Sequence, residues 1–420
     1  MSISLKVNLD PIEAPNRPAH VPAELVRDLG WAFGEQPLTD DEPYKETAVF
    51  FTDKMPPLMW SPDIVAGQPG VGAWVVTQYE DITFVYQESD IFSTKGAAAF
   101  QQMVGETWPC IPLGVDAPEH MKYRAMLNPH FSPKAVDILE KKILESATSL
   151  LDPLLKQGKA DFAYDFARIY PVRVFMDLMG FPLSDLDKFV EWHAAIILDR
   201  LTDMDASLKS LRETLAYLRA SIAEHKANPG KDDLIAKIVT TEIAGRPITD
   251  DEVMGTMFFL WLGGIDTVAA SLSLMFRRLA IDTAMQQKLR DNPDMIPEAI
   301  EEFLRTQPLV NSQRLVKRDF QLHGQTIKAG DWISCMVTAG NFDPEQFDNP
   351  REVRLDREPN RHFTFSGGPH RCLGSHLARR EMRVALGEWL RRVPPFRLAD
   401  DDDRIVYPGL NPVKHLKIVW

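Results

Sequence analysis

The pattern of apolar and polar positions along the chain predicts a mostly helical protein with a minor β part. Residues 72–94 contain a short strand, Ala73 to Thr77, followed by an amphipathic helix. Helical periodicity then dominates from Pro118 to about Arg305, and a last long helix is expected from Leu373 to about Arg391. The pattern therefore predicts the α+β class with helices in the majority.

The predicted strands come late in the chain. Residues 319–338 alternate between apolar and polar positions, and the pairs His323-Gly324 and Ala329-Gly330 divide them into short strands. A loop-rich stretch, residues 341–363, leads to the last helix. The Pro-containing N-terminus shows no such pattern, so we expect a flexible segment over residues 1–21 and one domain over residues 22–420.

One apolar stretch, Val253 to Phe276, is as long as a membrane span, which needs about 20 residues. Asp266 lies near its middle, and a charge at that depth is costly in lipid. A helix that is apolar on all sides belongs in the core of a large protein. We therefore expect this helix to be buried in a soluble protein.

Composition narrows the classes of function and the compartment. The formal net charge of −13 makes nucleic acid an improbable partner, because phosphate binding needs a basic surface. The three cysteines are far apart and odd in number, which excludes a disulfide framework and a CxxC zinc site. The polar N-terminus has no apolar core of a signal peptide, so we expect a cytoplasmic protein without membrane association.

A Gly-rich loop delivers Cys372 to the start of the last helix, in the sequence FSGGPHRCLG of residues 365–374. The free N–H groups and the positive dipole end of a helix favour a thiolate at that place. Gly367, Gly368 and Gly374 allow a flat macrocycle to press against the loop where a side chain would obstruct it. The pattern indicates a metal-ligating cysteine, and a buried structural cysteine in a turn is the alternative.

Three further segments accompany this loop. Residues 263–267, GGIDT, lie in the long apolar helix, Glu302 and Arg305 form an i, i+3 pair, and His120 and Arg124 share a helical face. Each alone has an ordinary interpretation, such as a helix ion pair worth about 0.2–0.5 kcal/mol. Together, and in the family's order along the chain, they make the chain resemble the cytochrome P-450 family of haem-thiolate monooxygenases, and within it the bacterial camphor-hydroxylating group.

The resemblance extends from about residue 45 to Trp420 and implies the fold of that family, a single large domain with a helix-rich lobe and a smaller β-rich lobe. It implies haem b with Cys372 as the axial thiolate, which pushes electron density onto the iron and favours O–O cleavage. Asp266 and Thr267 would relay protons to oxygen, with Arg200 as the partner of Asp266. A helix-interior Thr bonded to a preceding carbonyl is the alternative for Thr267.

The other site residues follow from the same resemblance. Positively charged or hydrogen-bonding side chains would hold the haem propionates, and the haem-binding set is His120, Arg124, Arg314, Phe365, His370 and Gly374, beside Cys372. The expected substrate pocket consists of Trp108, Leu260, Gly263, Leu309, Val310, Asn311 and Leu410. Glu302 and Arg305 are expected to be structural, and the third partner of this pair stays open, with Arg351 and Arg354 as candidates.

The resemblance implies a monomeric oxygenase that hydroxylates a small, mostly apolar molecule, such as a monoterpenoid. Because no flavin or iron–sulfur segment follows the haem domain, we expect electrons from outside the chain, and the resemblance implies a [2Fe-2S] ferredoxin and its NAD(P)H-dependent reductase as their source. Lys122, Arg379 and Arg380 are candidates for the ferredoxin-docking face, and a merely solvated basic face is the alternative. A peroxide-driven peroxygenase and a non-catalytic haem carrier or gas sensor are the competing functions.

Overall fold

The structure is a computed structural model that describes residues 9–30, 55–65, 68, 70–98, 100–198, 203–228, 230–401 and 413–420. These residues fold into two compact units. The first contains the described parts of Met1–Ala98 and Glu301–Cys372, and the second contains those of Ala99–Ile300, Leu373–Arg404 and Val413–Trp420.

Helices dominate the described residues, as the sequence predicts. The helices are α1 (Tyr79–Gln87), α2 (Glu119–Leu127), α3 (Pro133–Leu155), α4 (Tyr170–Met179), α5 (Leu186–His193), α6 (Met204–Ala227), α7 (Leu234–Val239), α8 (Asp250–Ile281), α9 (Thr283–Asp291), α10 (Ile296–Thr306), α11 (Val337–Asn341) and α12 (Ser375–Arg392). The strands are β1 (Leu58–Ser61), β2 (Ala73–Val76), β3 (Phe92–Ser93), β4 (Lys159–Asp161), β5 (Glu242–Ile243), β6 (Arg246–Pro247), β7 (Ser312–Val316), β8 (Phe320–Leu322), β9 (Gln325–Ile327), β10 (Trp332–Cys335), β11 (Arg397–Leu398) and β12 (Lys417–Val419).

The first unit is built on a five-stranded sheet in the order β1-β2-β10-β7-β3. Its β2–β10 pair is parallel and its other pairs are antiparallel. Strands β8 and β9 form a hairpin whose turn residues, His323 and Gly324, both have positive φ, as a tight two-residue turn requires. The strands predicted around residues 73–77 and 319–338 are therefore confirmed.

The described part of the N-terminal segment packs onto this sheet. Val21 is buried in the core cluster that contains Trp60 and Trp74, and the Ile12 N–H donates to the Val26 carbonyl at 3.1 Å. His20 lies 2.8 Å from an Asp331 carboxylate oxygen. Apolar contacts and hydrogen bonds thus hold described residues of this segment against the sheet, although the segment lacks periodic structure.

The second unit is organised around α8, a helix of 32 residues. A capping box begins it: the Thr249 hydroxyl accepts from the Glu252 N–H, and the Glu252 carboxylate accepts from the Thr249 N–H at 2.7 Å. By length and composition α8 could cross a membrane, but 67% of its most apolar window is buried inside the protein. This burial agrees with the predicted core helix.

Around α8, the rings of Phe162, Phe276, Trp389 and Phe396 form an aromatic cluster, with Phe162 and Phe276 stacked at 3.8 Å between centroids. A three-stranded sheet, β11-β12-β4, and the hairpin β5–β6 also belong to this unit. The sequence pattern missed β4, β5 and β6 inside the long helical stretch. Strands of two or three residues are too short to establish a period of two against the surrounding helical signal.

Candidate active site

The loop that carries Cys372 is held close to α1. The Cys372 N–H donates to the Phe365 carbonyl at 2.9 Å, and the Arg371 N–H donates to the Gly368 carbonyl at 3.1 Å. Gly368 has a φ of +61°, and a Cβ at this position would collide with the carbonyl oxygen of Tyr86. Glycine is therefore required at residue 368 both by the backbone conformation and by the close approach of α1.

Cys372 differs in accessibility from the other two cysteines. Cys110 and Cys335 are buried, and burial raises the pKa of each thiol to about 12, so both remain protonated and poor ligands. Cys372 is exposed. Among the described residues no cluster of His, Cys, Asp and Glu could hold a metal ion. The accessible thiol of Cys372 is therefore the side chain best suited to ligate an iron that a macrocycle already holds.

Glu302 and Arg305 form a fully buried ion pair on α10. The Arg305 Nε and Nη2 atoms donate to the two oxygens of the Glu302 carboxylate, each at 2.7 Å. Arg305 Nη1 also donates to the carbonyls of Asn341 and Pro350, both at 2.9 Å. This network ties α10 to α11 and to the loop that precedes the cysteine.

The third partner of this pair is Arg357, so the candidates Arg351 and Arg354 are corrected. Arg357 Nε lies 3.1 Å from both oxygens of Glu302, whereas Arg354 contributes its backbone N–H at 2.9 Å. Burial alone would raise the pKa of Glu302, but hydrogen bonds and charge from Arg305, with Arg354 and Arg357, bring it below its ordinary value. The loop turns back between residues 352 and 357, which no local sequence signal indicates.

Arg314 and His370 are the predicted propionate ligands of the first unit. Arg314 is only 4% exposed, and within the described residues its guanidinium makes one hydrogen bond, to the Gln313 carbonyl at 2.9 Å. Its other N–H groups have no hydrogen-bond partner in the part of the chain that the structure describes, and a guanidinium group binds a carboxylate through such donors. His370 Nε2 lies 3.5 Å from the Thr94 hydroxyl. The accessible thiol of Cys372 and the buried Arg314 guanidinium fit haem, which needs an iron ligand and a cation for its propionates.

His120 and Arg124, the predicted pair of the second unit, lie one turn apart on α2. His120 is 1% exposed, and burial, aided by the Arg124 charge, lowers its pKa to about 4. At neutral pH its imidazole is therefore uncharged and suited to a hydrogen bond with a propionate. Arg124 carries the charge of the pair.

Asp266 and Thr267 lie side by side on α8 in different environments. Asp266 is buried, and burial raises the pKa of its carboxyl to about 8. Among the described residues its Oδ2 atom has no hydrogen-bond partner, and the predicted partner Arg200 lies outside them. The Thr267 hydroxyl donates to the Gly263 carbonyl, one turn earlier, at 3.3 Å. A protonated acid thus stands next to a weakly bonded hydroxyl.

Gly263 and Gly264, which precede Asp266 and Thr267 on α8, serve different purposes. A Cβ at Gly264 would lie 3.2 Å from the Phe175 ring, so this glycine permits packing against α4. A Cβ at Gly263 would meet no atom within 4 Å, so this glycine keeps open space beside the helix. Gly263 is exposed in a helix that is otherwise mostly buried.

The same open face of α8 includes Phe259 and Thr267, both partly exposed. These two positions stand four residues before Gly263 and four after it, which places all three residues on one helical face. The predicted pocket residue Leu260 is 8% exposed and stands seven residues before Thr267, which places it on the same side of α8. Sequence reasoning missed Phe259, although its spacing of four residues from Gly263 would have identified it.

Several other predicted pocket residues have defined contacts. The Trp108 indole N–H donates to a Glu106 carboxylate oxygen at 2.8 Å, and the Asn311 side-chain oxygen accepts from the Val337 N–H at 2.9 Å. Leu309 is 8% exposed and Val310 is 44% exposed, while Leu410 lies outside the described residues. The indole N–H of Trp108 is therefore already used by the protein.

The three basic residues that are candidates for ferredoxin docking contact other residues of the protein. Arg380 pairs with Asp137 and Glu140 on α3, and Lys122 lies 3.3 Å from Glu119. Arg379 donates to the Ser375 carbonyl at 3.4 Å. Because two carboxylates on α3 neutralise Arg380, this residue fixes α12 to α3 and is a weak candidate for recognising a partner.

Comparisons with known proteins agree with these features. The family model described as "Cytochrome P450" matches residues 68–406. A probable cytochrome P450 127A1 of Sinorhizobium fredii is 33% identical over 407 residues, covering 96% of both chains. The crystal structures of CYP101J2 and cytochrome P450 CYP101C1 are 31% and 32% identical, each with a TM-score of 0.82 over 96% of this chain and 99% of theirs.

These matches confirm the resemblance that the loop, the ion pair and the α8 segment suggested, and they confirm the mostly helical α+β fold. Proteins of this family bind haem b through a cysteine thiolate, and Cys372 occupies that place in the loop motif. They use O₂ and electrons from redox partners. The chain belongs to the cytochrome P450 family and is a haem-thiolate monooxygenase.

Proposed function

We propose that this monooxygenase hydroxylates a small, mostly apolar molecule of the monoterpenoid class, with electrons from a [2Fe-2S] ferredoxin and its NAD(P)H-dependent reductase in the cytoplasm. The observation that carries the proposal is the open face of α8. Phe259 and Gly263 present only apolar surface there, Thr267 lies on the same face one turn later, and Asp266 is its neighbour in the chain. Resemblance to the camphor-hydroxylating group supports the size of the substrate and the type of electron donor.

Bound through Cys372, haem supplies the centre at which O₂ is bound and reduced. Residues of α8 would hold protons and transfer them to O₂. Asp266, with its pKa raised to about 8 by burial, holds a proton at neutral pH and can release it to an adjacent acceptor. The Thr267 hydroxyl, bonded to the Gly263 carbonyl at 3.3 Å, can turn to pass a proton towards the open face. Gly263 keeps that face free of a side chain.

The other residues would hold haem in place. Arg314 and Arg124 would neutralise the propionates, and His370 and the uncharged His120 would donate hydrogen bonds to them. The Glu302–Arg305–Arg357 network acts at a distance, because it fixes the chain on the approach to the cysteine loop. Phe365 is 9% exposed and its carbonyl accepts from the Cys372 N–H, and Gly374 stands two residues after Cys372 at the start of α12.

The decisive experiment compares electron sources. With NADH, a ferredoxin and its reductase, we expect NADH consumption that depends on a terpenoid ligand and yields a hydroxylated product. Hydrogen peroxide alone should give little product, because the Asp266–Thr267 pair serves the route from O₂. Efficient turnover with peroxide alone would favour the peroxygenase. Absence of product under both conditions, with haem and ligand bound, would favour the carrier or sensor.

Ligand polarity tests the substrate class. Because the Trp108 N–H already donates to Glu106, the wall at this residue offers a ligand only apolar surface. Bicyclic ethers and hydrocarbons should therefore bind at least as well as camphor, measured by the low-to-high-spin shift. The Trp108→Ala variant should weaken all three ligands. A strong preference of the wild type for camphor, or no effect of the variant on any ligand, would contradict this assignment.

A further inference from the structure

Glu106 joins two residues that are far apart in the chain. One of its oxygens accepts from the Trp108 indole N–H at 2.8 Å, and the other lies 2.5 Å from Nη2 of Arg219 on α6. The hydrogen bond from Arg219, together with the one from Trp108, holds the pKa of Glu106 below its ordinary value. The carboxylate is therefore charged at neutral pH and serves both donors at once.

The main chain beside Trp108 is fixed independently of Glu106. The Gln101 side-chain nitrogen donates to the Trp108 carbonyl at 2.9 Å, and the Ile111 N–H donates to the Gly255 carbonyl at 3.2 Å. A Cβ at Gly255 would collide with the Pro109 carbonyl, so this segment lies directly against α8. The backbone is thus held by α8, and what Glu106 adds is the direction of the indole N–H.

The indole ring itself rests on α8. It meets the Phe258 ring edge-on at 5.4 Å between centroids, one residue before the open face begins at Phe259. Trp108 is 5% exposed, so a rotated ring would need to displace neighbours or enter open space. The bond to Glu106 therefore selects one ring orientation among those that the fixed backbone permits.

We propose that Glu106 is a positioning and specificity-determining residue, which turns the hydrogen-bond donor of Trp108 away from the ligand and, through Arg219, links that orientation to α6. This inference rests on the proposed function, because it takes Trp108 to face the substrate. Its consequence is selectivity: with the N–H engaged, the ligand meets an apolar wall and a ketone gains no hydrogen bond there. A pre-oriented ring also spares the ligand the entropic cost of ordering it.

The link to α6 should respond to salt. The side chains of Arg219 and Glu106 are 50% and 24% exposed, so dissolved ions screen their attraction. The bond between Glu106 and Trp108 involves a neutral donor and is less sensitive. Substitutions at Glu106, Trp108 and Arg219 therefore separate the effect of the Arg219–Glu106 charge pair from the effect of the indole orientation.

The first measurement follows the indole directly. The chain has 9 tryptophans, and ¹⁹F NMR of protein labelled with 5-fluorotryptophan assigns the Trp108 resonance by its loss in Trp108→Phe. We expect Glu106→Leu to shift or broaden this resonance, and Glu106→Gln, whose amide oxygen still accepts from the indole, to restore it in large part. Arg219→Met should shift it less than Glu106→Leu. Arg212→Met, an exposed arginine on the same helix, is the matched control and should leave it unchanged.

The second measurement follows selectivity with camphor and bornane, which differ only by the ketone, in competition with 4-phenylimidazole at the haem iron. In Glu106→Leu the freed N–H should improve camphor relative to bornane by about tenfold, the order expected for a gained hydrogen bond in an apolar site. Glu106→Gln should restore the wild-type ratio. Added salt should move the camphor-to-bornane ratio in the wild type and have no effect in Arg219→Met.

An unchanged Trp108 resonance in Glu106→Leu, or an unchanged camphor-to-bornane ratio, would overturn the inference. If Trp108 does not line the substrate pocket, the result is different. Trp108→Ala would then leave every dissociation constant as in the wild type, while the Trp108 resonance would still change in Glu106→Leu. The two failures are therefore distinguishable.

Discussion

Replacing Asp266 by asparagine preserves the size of a buried side chain and removes its ionisation. Burial raises the pKa of this carboxyl from 3.8 to about 8, so the folded protein favours the protonated form. Unfolding exposes the group and returns it to its ordinary pKa. The wild type therefore loses stability as pH rises from about 4 towards 8, and asparagine, which does not ionise, avoids this loss.

The magnitude follows from the size of the shift. Each pH unit between the unfolded and folded pKa values changes the free energy of unfolding by about 1.4 kcal/mol. Between pH 4 and pH 7 the wild type should lose about 3–5 kcal/mol relative to Asp266→Asn, and above pH 8 the difference should level off. The same substitution should lower hydroxylation by about 10²-fold or more, because an amide cannot deliver a proton.

The assay is urea unfolding of both proteins at pH 5, 6, 7 and 8, followed by far-UV circular dichroism. Asp251→Asn, on the exposed first turn of α8, is the control and should show no comparable dependence on pH. A stability difference that stays constant from pH 5 to pH 8 would refute the reasoning. It would mean that a cation pairs with the Asp266 carboxylate, with Arg200 the residue to test next by substitution.

Three other outcomes are expected. Cys372→Ser should abolish the red-shifted Soret band of the reduced, CO-bound protein, and a band that survives would assign the thiolate to Cys110 or Cys335. Thr267→Ala should leave ligand binding nearly unchanged while most reducing equivalents appear as hydrogen peroxide, so a product yield per NADH equal to that of the wild type would make Thr267 merely structural. Arg357→Met should lower the free energy of unfolding by about 3–5 kcal/mol, because it leaves part of a buried carboxylate unpaired. The control Arg354→Met removes only a 3.9 Å contact with exposed Asp356 and should lower the free energy of unfolding by less than about 1 kcal/mol. An equal loss of stability in both variants would contradict the assignment of Arg357.

Much of the fold and of the cysteine loop could be predicted from the sequence because the signals are local. Helical periodicity, the His323-Gly324 turn and the GGIDT segment each depend on residues within one or two turns of each other. The loop FSGGPHRCLG contains in ten residues both its ligand and the glycines that its backbone needs. Such features can be recognised in the sequence without knowledge of the tertiary contacts.

The tertiary structure decided the features that depend on distant partners or on burial. Arg357 reaches Glu302 across 55 residues, and Arg219 reaches Glu106 across 113, so neither pairing leaves a periodic trace in the sequence. The position of Asp266 was visible in the sequence, but the burial that raises its pKa to about 8 is a property of the packing around α8. The sequence likewise supplied Trp108 as a possible donor, and only the fold showed that Glu106 already accepts its N–H. Side-chain pairing and desolvation depend on which surfaces pack against each other. Those contacts between distant residues form only when the whole chain folds, so they cannot be read from local sequence patterns.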